Sequence, residues 1–113
     1  MNDSTDNANT DDMAVLILND HGVIRECNQA CEKLFGYLSS DILWKHISAL
    51  LPQLADIALM RGRQINPRLH FLTHIGHRFE VVGLGGIHFA SRLFINQVEN
   101  MGRHSLRLIV CST

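Results

Sequence analysis

The stretch that most limits what this chain can fold into runs Asn28-Gln29-Ala30-Cys31-Glu32-Lys33-Leu34-Phe35-Gly36-Tyr37. It opens on an N-cap type of residue, because an Asn28 side chain accepts a backbone N–H from the first helical turn. Ala30, Cys31, Leu34 and Phe35 recur at helical spacing and make one apolar face. Gly36 falls where the chain must turn left-handed, a conformation glycine takes without a Cβ clash. The spacing therefore predicts one short amphipathic helix with both ends set locally. Just before it, residues 14–19 (AVLILN) read as a strand with both faces apolar, Asp20-His21-Gly22 as a turn, and residues 23–28 as the returning strand of a hairpin.

After the central helix, Ser39-Ser40-Asp41 supplies hydroxyl and carboxylate groups suited to the start of a second short helix. Leu50-Leu51-Pro52 closes that segment, since proline disfavours helix at the residue before it. Residues 53–61 (QLADIALMR) carry apolar side chains at 54, 57, 58 and 60, which predicts one more helix, and Arg61 through Pro67 reads as a loop. From Leu69 onward the character is β, with strands over 69–75 and 77–83 and a tight connection at Leu84-Gly85-Gly86-Ile87. Two further strands, 88–98 and 105–111, join at Glu99-Asn100-Met101-Gly102-Arg103. Residues 1–12 (MNDSTDNANTDD) bury too little to order themselves, so a disordered polar tail is expected before a single domain over 13–113.

Composition excludes several classes of function. A net charge of −1 leaves no basic surplus to neutralise phosphates, which argues against nucleic acid as a partner. No apolar run approaches the roughly 20 residues of a membrane span, and the acidic start is unlike a signal peptide. Three cysteines, an odd count, fit a reducing cytoplasm rather than a disulfide framework. Ser91 and Ser105 lack a nucleophile elbow, and Gly83-Leu84-Gly85-Gly86 lies in a hairpin rather than before a helix, so it is no phosphate loop. No catalytic constellation stands out, and the chain reads as a non-enzyme. Cys27 and Cys31 read as small buried apolar residues rather than a redox pair.

Set between AVLILNDHGVIREC and LSSDILWKHISALLP, the segment 28–37 resembles the amino-terminal half of a PAS domain. That family's pattern is strand, D-x-G turn, strand, N-x-A-x-x-x-L-F-G-Y and a short acidic-led helix. FEVVGLGGIHFASRLFINQVENMGRHSLRLIV resembles its last three strands, with Phe89, Leu93 and Ile95 on apolar positions of the pattern. The resemblance spans residue 14 to about residue 111. There are departures. Trp44 stands where the family has glycine, and the Gly85-Gly86 hairpin is shorter than the common K-D-G-S form. Ala90 replaces a proline, and Cys111-Ser112-Thr113 replaces the D-I-T exit.

The resemblance implies an α+β fold, a five-stranded antiparallel sheet with short helices packed on one face. It further implies a cytoplasmic sensory and signal-transduction domain. Such a domain binds a small ligand or cofactor between sheet and helices and relays it by conformational change as a homodimer. The effector, attached or separate, would be a histidine kinase or cyclic-dinucleotide enzyme. The alternative is a ligand-free homodimerisation module. By position Ile17, Asn19, Ile24, Glu26, Leu34, Ile57, Phe79, Val81, Ser91, Leu93 and Ile95 would face the ligand space. Leu16, Leu18, Phe94, Leu106, Leu108 and Val110 alternate with that set, so the sheet's outer face would be apolar and covered by a second copy. A Glu26 turned inward needs a partner, Arg107 or Arg61; the competing reading is a strand bulge that turns it to solvent.

Seven histidines raise metal and haem. His70, His74 and His77 are close in sequence, but Cys27-x3-Cys31 is not a zinc spacing. Haem sensors of the family carry a proximal histidine on the helix before the third strand. Read as QLADIALMR, that helix has none and puts Leu59 nearest the ligand position, which leaves His70 or His74 from a loop or strand. The flavin-cysteine motif G-R-N-C-R-F-L-Q corresponds to Trp44-Lys45-His46-Ile47-Ser48-Ala49-Leu50-Leu51, without the cysteine. Non-covalent FAD would have only Trp44 to stack on and Asn19 to hydrogen-bond. The identity of any cofactor stays unknown, and the expectation is a colourless protein holding neither metal, haem nor FAD.

Overall fold

The computed structural model describes residues 13–100 and 102–113; the expected tail, 1–12, lies outside them. Strand β1 (Ala14–Leu18) turns into β2 (Ile24–Cys27) through Asn19, whose Oδ1 accepts the backbone N–H groups of His21 and Val23, both at 2.9 Å. Helix α1 (Gln29–Phe35) follows, capped by Asn28 and ended by Gly36 at φ 81°, as its residues predict. Helix α2 (Ser39–Ile42) starts under a different cap: Glu32 Oε2 of α1 accepts the Ser39 N–H at 2.7 Å, which holds the Glu32 carboxyl below its usual range. Short 3-10 turns, Ile47–Ala49 and Pro52–Asp56, lead to a two-stranded ribbon, β3 (Met60–Arg61) with β4 (Gln64–Ile65). Helix α3 (Pro67–His74) precedes β5 (Phe79–Val82), β6 (His88–Asn100) and β7 (Arg103–Ser112).

The five sheet strands lie in the order β2-β1-β7-β6-β5, each pair antiparallel. One face carries Leu16, Leu18, Ile24, Phe79, Val81, Leu93, Ile95, Leu106, Leu108 and Val110. These pack in one cluster with Phe35, Ile42, Ile47, Leu50, Leu51, Leu54, Leu59 and Leu69 from the helical layer. The layers approach closely at the β5–β6 turn: a Cβ added at Gly83 would lie 2.7 Å from the Phe35 carbonyl oxygen. The class is α+β, with short helices on one face of an antiparallel sheet.

Two expectations about elements are corrected. Residues 53–61 are not a helix but a 3-10 turn followed by β3. Residues 69–75 are not a strand, because Asn66 Oδ1 accepts the Arg68 N–H at 3.0 Å and Pro67 takes the first helical position, which starts α3. The tight connection expected at Leu84-Gly85-Gly86-Ile87 does join β5 to β6, with Gly85 at φ 75° and Gly86 at φ 80° in a short 3-10 turn, Leu84–Gly86.

The facing of β1 and β2 is also corrected. Leu16 pairs with Cys27, Ile17 with Glu26 and Leu18 with Ile24, so Arg25 is one residue too many on β2. That bulge reverses the alternation. Glu26 is consequently exposed on the outer face, and Ile17 shares that face. Leu16, Leu18, Leu106, Leu108 and Val110, expected outside, are buried in the core. The strand AVLIL holds no polar residue to mark which phase faces water, and the fold chooses the phase that buries both leucines.

Candidate functional site

The fold offers two surfaces to which the sequence assigns function. The first is the layer between sheet and helices. Ile24, Phe79, Val81, Ser91, Leu93 and Ile95 lie in it, all buried, with Leu34 and Ile57 half-buried and packed against it. Asn19 and Ile17 do not reach it, and Glu26 faces away. The proposed partner Arg107 shares the outer row with Glu26, Ile17 lying between them in the pairing. Polar groups in the layer are satisfied internally: the Ser91 hydroxyl donates to the Phe79 carbonyl at 3.3 Å. Among the described residues no buried side-chain nitrogen or oxygen lacks a partner. The Cys31 thiol donates to Val15 O and to Asn28 Oδ1, both at 3.3 Å, and burial pushes its pKa up to about 12. A thiol so held is not a nucleophile at neutral pH.

The expected cofactor contacts are redistributed as well. The helix before the third sheet strand is α3, which does carry His70 and His74. Both are exposed, and the side of α3 turned to the core presents Leu69 and Thr73. No imidazole of that helix points between the layers. His77 is half-buried and sets its ring edge-on to Phe79, with centroids 4.7 Å apart. Trp44 and Asn19, the pair considered for flavin, lie outside the layer too.

The second surface is the outer face of the sheet. Phe94, the one residue of the expected interface that does lie there, is 48% exposed. The pairing sets it beside Ile109, and Ile109 beside Val15, so an apolar row crosses three strands. The next row holds Asn96, Arg107, Ile17 and Glu26. At the end of the sheet a groove of about 980 Å³ opens along Ile17, Asn19, Asp20, Arg25, Glu26, Arg103, His104 and Ser105. Val15 and Ile109 were not legible as surface residues, because their neighbours in sequence are equally apolar.

Beside the groove stands Trp44, 68% exposed, with the Arg25 guanidinium 4.5 Å from its ring centroid. Trp44 has φ 71°, among the described residues the sole non-glycine with positive φ. Its departure from the family's glycine is thus the sequence signal of this strained position. The strain is held by backbone bonds on either side: Trp44 N–H to Ile24 O at 2.7 Å and Ile24 N–H to Lys45 O at 2.8 Å.

The family whose model matches the chain is the PAS fold, over residues 9–81. A search of curated proteins gives no match. Among solved structures, the PAS domain of a Desulfitobacterium hafniense protein is similar at 17% identity and a TM-score of 0.66, over 90% of this chain and 93% of that one. A PAS domain from a two-component sensor histidine kinase is similar at 13% identity and a TM-score of 0.67, over 99% and 96%. The PAS domain of nitrogen regulation protein NR(II) from Vibrio parahaemolyticus is 21% identical with a TM-score of 0.61, over 89% of each chain.

Proposed function

The chain belongs to the PAS fold family, and from that premise we propose that it is a non-catalytic sensory module that signals by self-association through the outer face of its sheet. The carrying observation is the row Val15–Ile109–Phe94, apolar across three strands and bordered by Arg107, Asn96 and Arg92. An apolar centre with a charged rim is the anatomy of a protein–protein contact. The effector that reads the association is a histidine kinase or cyclic-dinucleotide enzyme, attached or separate. The solved domain from a sensor histidine kinase supports the first of these. Sedimentation velocity at tens of micromolar should show a dimer that Phe94→Glu and Ile109→Glu each convert to monomer. A monomer at that concentration refutes the reading.

A second reading places a small apolar ligand between sheet and helices, and the convergence of Ile24, Phe79, Val81, Leu93 and Ile95 on that layer favours it. These side chains are packed, so a ligand must part them, and binding would shift the population of two sheet–helix packings. Native mass and absorbance of the purified protein decide it: a stoichiometric adduct supports the reading, and the bare chain mass without visible absorption refutes it.

A further inference from the structure

Helix α3 carries a pair of histidines that the proposed function does not use. We propose that His70 and His74 form an open, two-imidazole site for a divalent first-row transition metal, set against the Asn96 side of β6.

Residues four apart on a helix stand on one face, with Cβ atoms about 5–6 Å apart. That spacing lets two imidazoles reach one ion, as in helical zinc motifs with histidines at i and i+4. The backbone that sets the spacing is fixed at its start by the Asn66 cap and Pro67, and Asn66 Nδ2 also donates to Ala58 O at 2.8 Å. Leu69 and Thr73 occupy the buried stripe of α3, and the stripe one residue on is His70 and His74, both exposed. Core packing therefore consumes neither ring. Both border one slot of about 270 Å³, completed by Thr73 and by Phe94, Ile95 and Asn96 of β6. The Thr73 hydroxyl is spent on the His70 carbonyl at 2.8 Å, not on an imidazole. Carboxylates meet other histidines instead: Asp20 with His21, Glu80 with His88 and Glu99 with His104.

Among the described residues no group of three or more His, Cys, Asp or Glu side chains converges. A closed structural zinc site is accordingly not what these residues build. Two imidazole nitrogens with water in the other positions suit the nitrogen-preferring end of the series, Cu2+ ahead of Ni2+ and Zn2+. An ion held by His70 and His74 would sit where α3 borders β6 at Phe94, Ile95 and Asn96. The site stands independently of the self-association reading.

Calorimetric titration of the full chain with Cu2+ alone at neutral pH should show one saturable equivalent. His70→Ala and His74→Ala should each abolish it, and the His88→Ala/His104→Ala double variant should retain it. On the unaltered chain, Cu2+ should shield His70 and His74 but not His88 from diethyl pyrocarbonate, read by peptide mass spectrometry. That arm keeps the test decisive should a variant misfold. Absence of a saturable equivalent, its survival in His70→Ala, or equal labelling of His70 with and without Cu2+ overturns the proposal.

Discussion

Replacing Asn28 by alanine should be among the most damaging changes of a polar side chain in this protein. Asn28 Oδ1 accepts the Cys31 N–H at 3.3 Å, which caps α1, and the Val15 N–H of β1 at 3.1 Å. Its Nδ2 donates to the Met13 carbonyl at 2.7 Å. One side chain thus caps the central helix at Cys31 and ties its start to the backbone of Met13 and Val15. A lost N-cap costs about 1 kcal/mol, and each of the two bonds to the backbone of Met13 and Val15 about 1 kcal/mol more. Asn28 is only half-buried, so water replaces part of this, and the total comes to about 2–3 kcal/mol. For a domain near this size that lowers Tm by roughly 10–20 °C. Urea unfolding followed by far-UV circular dichroism, with m unchanged, measures it. Asn28→Asp keeps the acceptor contacts and loses only the donation to Met13, so it should cost about 1 kcal/mol. If Asn28→Ala lies within about 0.5 kcal/mol of the parent, or Asn28→Asp is as damaging as Asn28→Ala, the three-point account is wrong.

Gly83→Ala should destabilise by about 1–3 kcal/mol in the same assay, because the new methyl group meets the Phe35 carbonyl at 2.7 Å and backbone must move. A neutral result would mean that this contact between α1 and the β5–β6 turn is loose. At Trp44 the usual order of residues inverts: with φ 71°, Trp44→Gly should be more stable than Trp44→Ala by about 1 kcal/mol, since both lose the Arg25 stack and only alanine keeps the strain. Finally, iodoacetamide at mildly alkaline pH should modify Cys27 and Cys111 well before Cys31, which peptide mapping would show. The sign of the linkage follows from the raised pKa: stability from the neutral Cys31 thiol is complete below pH 9.0 and is lost as pH rises toward about 12. Alkylation of Cys31 as fast as Cys111 would contradict its burial.

Elements with local signals were legible from residues alone. Asn28 and Gly36 bound α1, and the glycine-terminated hairpin before it needed no distant contact to be recognised. Helix α3 was misread because His70-Phe71-Leu72-Thr73-His74-Ile75 mixes apolar and polar residues as a strand would. Its decisive mark, Asn66-Pro67, sat inside what looked like a loop. That error carried into the site, since the histidine-bearing helix was sought at 53–61. The phase of β1 was undetermined in principle: any register of AVLIL buries an apolar side chain. It took the Arg25 bulge, a property of pairing rather than of composition, to turn Glu26 outward. The apolar row Val15–Ile109–Phe94 was hidden for the same reason, as a surface defined by three strands that are far apart in the chain.

Trp44 is the chain's one tryptophan, and its place has a consequence for how the protein is watched. Emission from an indole already 68% exposed will barely redshift when the core melts. What does alter it is the loss of the Arg25 guanidinium from its face and of the backbone bonds that tether it to Ile24. A fluorescence-monitored titration will accordingly track the local opening of the β2 edge. Where that opening precedes global unfolding, the optical midpoint will fall below the one from circular dichroism. The mismatch would then mimic a folding intermediate while reporting a single loosened corner of the sheet.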